Sequence, residues 1–168
     1  MMWLLNAILI IAVCVNSALA TARKHNQIEW QGTVTHVSDG DTLWVRPGGG
    51  GEAVKIRMDG IDAPETCQTY GGVAQSALAA RVLHRTVNVQ ARSRDGYGRL
   101  LGRILLQRED VGEWMVSQGH AWAHHYKRYK SEYGAQEAEA RVARRGLFAD
   151  PAALDPGVFR KRHGSCHK

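Results

Sequence analysis

From Gln27 to Arg46 the chain reads QIEWQGTVTHVSDGDTLWVR, rich in β-branched and aromatic residues and broken by one acidic stretch. Val34 and Val37, Thr33 and Thr35, then Leu43, Trp44 and Val45 supply two short strands with that acidic turn between them. Pro47 to Gly51 ends in four consecutive glycines, too costly in conformational entropy for an ordered element, and reads as a loop. AVKIRMDGI then alternates Val54, Ile56 and Met58 with Lys55, Arg57 and Asp59, the period of a half-buried strand.

GGVAQSALAARVLHR is alanine-rich, with Val73, Ala77, Ala80 and Leu83 at helical spacing, and predicts an amphipathic helix. TVNVQARSR and LLGRILLQ predict two strands, and Asp95-Gly96 between them is a strong hairpin signal. VGEWMVSQGHAW predicts a short helix ending near Gly119. SEYGAQEAEARVARRG predicts a longer one, capped by Ser131 and stopped at Gly146. The tail from Pro151 to Lys168 reads as loose. Three strands, a helix, two strands and further helices predict a β-barrel plus helices of the α+β class, in which five short strands close as an OB-type barrel. No internal repeat or domain linker interrupts the chain.

The 168 residues carry 22 Lys and Arg against 16 Asp and Glu, a net charge of +6. That length suits one domain with a real core, and the surplus favours acidic partners, nucleic acid or an anionic surface. The first twenty residues hold no charged side chain, and Ala18-Leu19-Ala20 fits a small-x-small cleavage pattern. The expectation is a signal peptide over 1–20 and a secreted or periplasmic protein, with a domain over 21–150 and a basic tail over 151–168. Arg23 and Lys24 after the apolar run keep a membrane anchor as the alternative. Beyond residue 20 two cysteines are left, Cys67 and Cys166. A disulfide between them and a pair of free thiols both stand.

Against this basic background, RMDGIDAPE gathers Asp59, Asp62 and Glu65 at intervals of three behind Arg57, while SDGDT adds Asp39 and Asp41. Adjacent strands would bring the two loops to one end of the sheet. Carboxylates forced together repel and persist only with a cation among them. Oxygen ligands without neighbouring His or Cys favour a hard ion, Ca²⁺ or Mg²⁺, over zinc. Taken singly, DGDT is an ordinary turn and APE an ordinary helix entry. Arg57 before the acids and Arg99 closing YGR shift the balance, because two guanidiniums suit a metal-bound phosphate.

DGDT, RMDGIDAPE, Tyr70-Gly71, DGYGR and GLF after a basic helix, in this order and spacing, resemble the staphylococcal nuclease (thermonuclease) family over roughly Gln27 to Ala149. The resemblance implies a five-stranded OB barrel with three helices, and a Ca²⁺-dependent phosphodiesterase acting on DNA and RNA to leave 5′-hydroxyl and 3′-phosphate ends. It assigns Asp41, Asp62 and the Ala63 carbonyl to calcium, with Asp39 reaching the ion through water. Glu65 would activate or orient the attacking water, and Arg57 and Arg99 would stabilise the phosphate. Gly96 stands where the family often has Lys, so Tyr97 would contact the terminal phosphate without it. AWAHHYKRY departs from the family's tyrosine-bearing segment and leaves Tyr126 and Tyr129 as rival pocket residues. Asp59 receives no family role and reads as a solvated acid or one that supports a ligand.

His120 and His124, four apart beside His125, lack a third placed ligand for zinc. Trp30, Trp44, Trp114 and Trp122 suit core packing better than base stacking. FRKRHGSCHK is either a solvated terminus or a phosphate-seeking arm. Nothing points to an obligate protein partner, and a monomer is expected. The rival from another class is an idle OB module that binds single-stranded nucleic acid, which has no need to keep Arg57, Asp41, Asp62, Glu65 and Arg99 together. An anionic-surface anchor would use the tail and leave the acids unexplained.

Overall fold

The computed structural model describes residues 28–124 and 131–166. The apolar leader, His125, Tyr126 and Tyr129 lie outside the described residues. Five strands wrap a single core: β1 (Ile28–Val37), β2 (Thr42–Pro47), β3 (Val54–Met58), β5 (Thr86–Arg94) and β6 (Leu100–Leu106). They run in the order β3-β2-β1-β5-β6, and a parallel pairing of β3 with β6 closes the ring. This is the expected five-stranded OB-type barrel. Closure leaves these strands no long open edge.

The alternating residues do what their period predicts. Ile56 and Met58 of β3 point into the core, as do Leu100, Ile104 and Leu106 of β6, while Lys55 and Arg57 face the other way. Two short pieces, β4 (Ile61–Asp62) and β8 (Trp122–Ala123), pair outside the barrel, and β7 (Glu109–Asp110) extends β6. Trp122 packs edge-on against Phe148 in a small second cluster with Ala140 and Leu147. Trp30 and Trp114 pack against the main core.

Four helices decorate the barrel among the described residues, one more than expected: α1 (Gly71–Val82), α2 (Val111–Ser117), α3 (Gly134–Val142) and α4 (Pro156–His163). The buried stripe of α1 is Gly71, Ala74, Leu78 and Val82, not the Val73 stripe; Val73 is exposed. Both stripes keep helical spacing in an alanine-rich segment, and the bulk of Leu78 decides which one faces the core. Ser131 does not cap α3. Its hydroxyl donates to the Gly60 carbonyl at 3.1 Å and accepts from the Tyr133 N–H, and α3 starts only at Gly134.

The tail is not loose. Asp155 accepts from the Val158 N–H as an N-cap and Pro156 opens the helix, a start signal present in the sequence. Gln68 Nε2 donates to the Leu154 carbonyl at 2.5 Å. Cys67 and Cys166 form a disulfide, with Cα atoms 5.7 Å apart. A cavity of about 300 Å³ remains between α4 and the second cluster, lined by Tyr70, Trp122, Leu147, Phe159 and His163 among others.

The disulfide spans 99 residues, so it restricts nearly the whole described domain when unfolded. Cys166→Ser is expected to lose roughly 2–5 kcal/mol of unfolding free energy. Urea denaturation with and without reductant measures this; a midpoint indifferent to both treatments would contradict the pairing.

Candidate active site

Two glycines allow the acidic loops to meet. A Cβ on Gly40 would lie 2.6 Å from the Ala63 Cβ and 2.9 Å from the Ala74 Cβ, so a side chain here would push the Asp39–Asp41 loop off the Asp62 segment. A Cβ on Gly71 would lie 1.9 Å from the Glu65 carbonyl oxygen, so α1 can begin against the Glu65 loop only with glycine.

Arg57 joins the loops. Its Nη1 donates to the Met58 and Ile61 carbonyls, both at 2.9 Å, and lies 3.1 Å from Asp41 Oδ2, while Nη2 meets Asp62 Oδ1 at 3.0 Å. Two backbone carbonyls thus fix the guanidinium between two buried carboxylates. Asp41 also accepts from the Thr42 hydroxyl and the Ala63 N–H, each at 2.9 Å. Burial pushes the Asp41 carboxyl up to about 6; the Arg57 charge pulls the other way and the nearby Asp39 adds to the rise. Asp39 Oδ1 in turn accepts from the Asp41 N–H. Glu65 is held by its own N–H, which donates to Gln68 Oε1 at 3.2 Å.

The β3–β6 seam pairs Ile56 with Leu100 and Arg57 with Leu101, so Arg99, just before β6, falls level with Lys55, and Arg57 and Arg99 line the same cavity. Arg99 Nε donates to Asp95 Oδ2 at 2.7 Å, and its guanidinium lies 5.6 Å from the centre of the exposed Tyr97 ring. Asp95 also accepts from the N–H groups of Tyr97 and Arg99. Desolvation is the largest single influence and opposes its ionisation, but the Arg99 hydrogen bond, these two N–H groups and the Arg99 charge together outweigh it and hold the carboxyl below its usual range. Asp39, Asp41, Arg57, Asp62, Ala63, Glu65, Tyr97 and Arg99, the whole predicted set, line one cavity of about 560 Å³.

Asp59 stands apart, paired with Arg92 at 2.7 Å on the surface. His120 and His124 do not converge. His120 shares a 3.0 Å hydrogen bond with the Tyr70 hydroxyl, stacks on that ring, and burial lowers its pKa. His124 Nδ1 instead lies 4.0 Å from Asp62 Oδ2. Two participants escaped the sequence reading. Asp95, legible only as a turn residue, is the partner that aims Arg99. Arg160 of α4 donates to Asp62 Oδ2 at 2.8 Å and to Glu65 Oε1 at 2.9 Å; nothing local in the sequence placed it there.

The donors suit a hard cation. Asp41 and Asp62 converge on one guanidinium, and the raised Asp41 pKa marks a buried carboxylate short of positive charge. Among the described residues, no three His, Cys, Asp or Glu side chains form a closed cage. A cation here would need water or substrate oxygens to complete its shell, as hard ions accept.

The family described as staphylococcal nuclease homologues matches residues 55–150. Protein ParB of Escherichia coli is 38% identical over 144 residues, covering 79% of this chain and 80% of that one. An uncharacterized endonuclease of Escherichia coli O157:H7 is 37% identical over 134 residues, covering 78% and 85%. The micrococcal nuclease of Shigella flexneri is 33% identical over 144 residues, covering 79% and 82%.

A carboxyl whose folded pKa lies above its unfolded value opposes folding once ionised. The penalty is absent below the ordinary carboxylate value of 3.8 and complete above about 6. In chelator, the stability of Asp41→Asn relative to the parent is therefore expected to rise by on the order of 3 kcal/mol between about pH 4 and pH 7. Hydrogen bonds lost to Asn add an offset that does not depend on pH. Parallel urea titrations at several pH values would show the trend; a flat difference would mean that Asp41 ionises freely.

Proposed function

The chain belongs to the staphylococcal nuclease family, and from that footing we propose that it is a Ca²⁺-dependent endonuclease that hydrolyses DNA and RNA to leave 3′-phosphate ends. It would act as a secreted or periplasmic monomer without an obligate protein partner, its leader at 1–20 removed. The single observation that carries the reading is the convergence of Arg57, Asp41, Asp62, Glu65 and Arg99 on one cavity wall. An OB module that only binds nucleic acid needs the arginines but not Glu65 or a buried pair of aspartates.

Asp41, Asp62 and the Ala63 carbonyl would hold the cation, with Asp39 reaching it through water. When bound there, such an ion would supply positive charge against the scissile phosphate. Glu65 takes the proton of the attacking water as its oxygen closes on phosphorus. Arg57 and Arg99 donate to the non-bridging oxygens, whose charge grows as the bond to the 5′ oxygen breaks. The leaving oxygen takes a proton from solvent water and departs as a 5′-hydroxyl, and the phosphate stays on the 3′ side. Tyr97, exposed at the cavity, suits contact with the terminal phosphate.

Cleavage of single-stranded DNA and of RNA by the purified protein is expected in Ca²⁺, to be weak in Mg²⁺ and absent in chelator. Binding without cleavage in Ca²⁺ would leave only the idle module. Glu65→Gln is expected to lower kcat by ~10²–10⁴-fold while substrate still binds. Arg99→Lys loses the planar fork and should also fall mainly in kcat. Steady-state kinetics on a defined oligonucleotide at saturating Ca²⁺ reads both, and near-parental kcat in Arg99→Lys would reduce that residue to binding.

A further inference from the structure

Helix α4 lies beyond residues 55–150, the stretch that matches the family. Yet three ties of α4 and its flanking residues reach residues 62–68, the segment that carries Asp62 and Glu65. Gln68, which also accepts from the Glu65 N–H, donates to Leu154. Cys67 is bonded to Cys166. Between these anchors, Arg160 spreads its guanidinium over two acids: Nη2 to Asp62 Oδ2 at 2.8 Å, and Nη1 to Glu65 Oε1 at 2.9 Å and Asp62 Oδ1 at 3.3 Å.

We propose that Arg160 is a third phosphate-binding arginine of this site, supplied by the tail and kept within reach by the Cys67–Cys166 bond. The proposal rests on the nuclease reading and adds to it a residue outside the family's matched stretch. Three observations favour a binding role over a stopper. Arg160 stands on the wall of the same cavity as Arg57, Tyr97 and Arg99, and about 560 Å³ stays open with α4 docked. Its side chain keeps 36% of its exposure, so the fork is presented to entering groups. Its partners are also the two acids that catalysis must free, Asp62 for a cation and Glu65 for water. A guanidinium that loses Asp62 to a cation needs another oxyanion, and a substrate phosphate is the one that enters this cavity. The planar fork matches two phosphate oxygens at once. The exposed Lys161 and Arg162 continue the positive surface beyond the site, which a polymer meets and a dinucleotide does not.

The test uses a fluorescent phosphorothioate DNA oligonucleotide, which resists hydrolysis, in Ca²⁺ with the oxidised full-length protein. Anisotropy should show Arg160→Ala binding about tenfold more weakly, with Arg160→Lys between it and the parent. The slope of log Kd against log salt should fall by roughly 0.7–1 in Arg160→Ala. Cys166→Ser, or reductant on the parent, should reproduce much of the loss, and Arg160→Ala with Cys166→Ser together should lose no more than Arg160→Ala alone. Unchanged affinity and salt slope in Arg160→Ala would overturn the proposal, and tighter binding would make Arg160 a stopper instead. A parent that binds this DNA in an Arg160-dependent way but never cleaves natural DNA would remove the nuclease reading and leave Arg160 standing.

Discussion

Two carboxylates buried at one end of a barrel repel each other and lose their hydration; Arg57 makes that arrangement tolerable. Its guanidinium is held by the Met58 and Ile61 carbonyls as well as by the acids. The acids therefore face a positive charge whose position the backbone also sets. Removing one member of such a buried set leaves an uncompensated charge, which is far costlier than losing an exposed ion pair. The glycines at 40 and 71, the turn at Asp95 and the barrel seam all serve to bring other groups to the place where Arg57 stands. Even with Arg57 there, burial dominates at Asp41. The Asp41 carboxyl thus stays short of positive charge.

Much of this was legible in the sequence because it is local. Strand alternation in AVKIRMDGI put Arg57 on the face opposite Ile56 and Met58, and the structure agrees. The acids lie in two short loops whose order along the chain already implied adjacency. What was not legible depends on register or distance. The buried stripe of α1 could shift by one residue without breaking its period, since small alanines fit either way. Ser131 looked like a cap and instead bonds to Gly60, 71 positions away. Arg160 meets Asp62 across 98 positions, and the leftover pair of cysteines and the basic run FRKRHGSCHK only hinted at it.

The tail shows how a short segment can be integrated without a core of its own. Pro156 is the one buried residue of α4, and a cavity remains beneath the helix. Covalent and polar ties replace apolar burial, as is common where a small element cannot hide enough surface. Such ties respond to redox and ionic conditions more than packing does, so α4 should be the most condition-sensitive of the four helices.

The parallel β3–β6 seam carries a kinetic consequence. It joins strands distant in sequence, and loop closure must precede any gain from their contacts. Arg57 and Arg99 lie on opposite sides of that seam, so neither hairpin alone holds both. The arginine pair is therefore assembled by a long-range pairing rather than with either hairpin. Partly folded chains, with the first hairpin formed and the seam still open, would carry the acids without the second arginine. The onset of activity during refolding would then report ring closure itself, separately from the earlier rise of strand content.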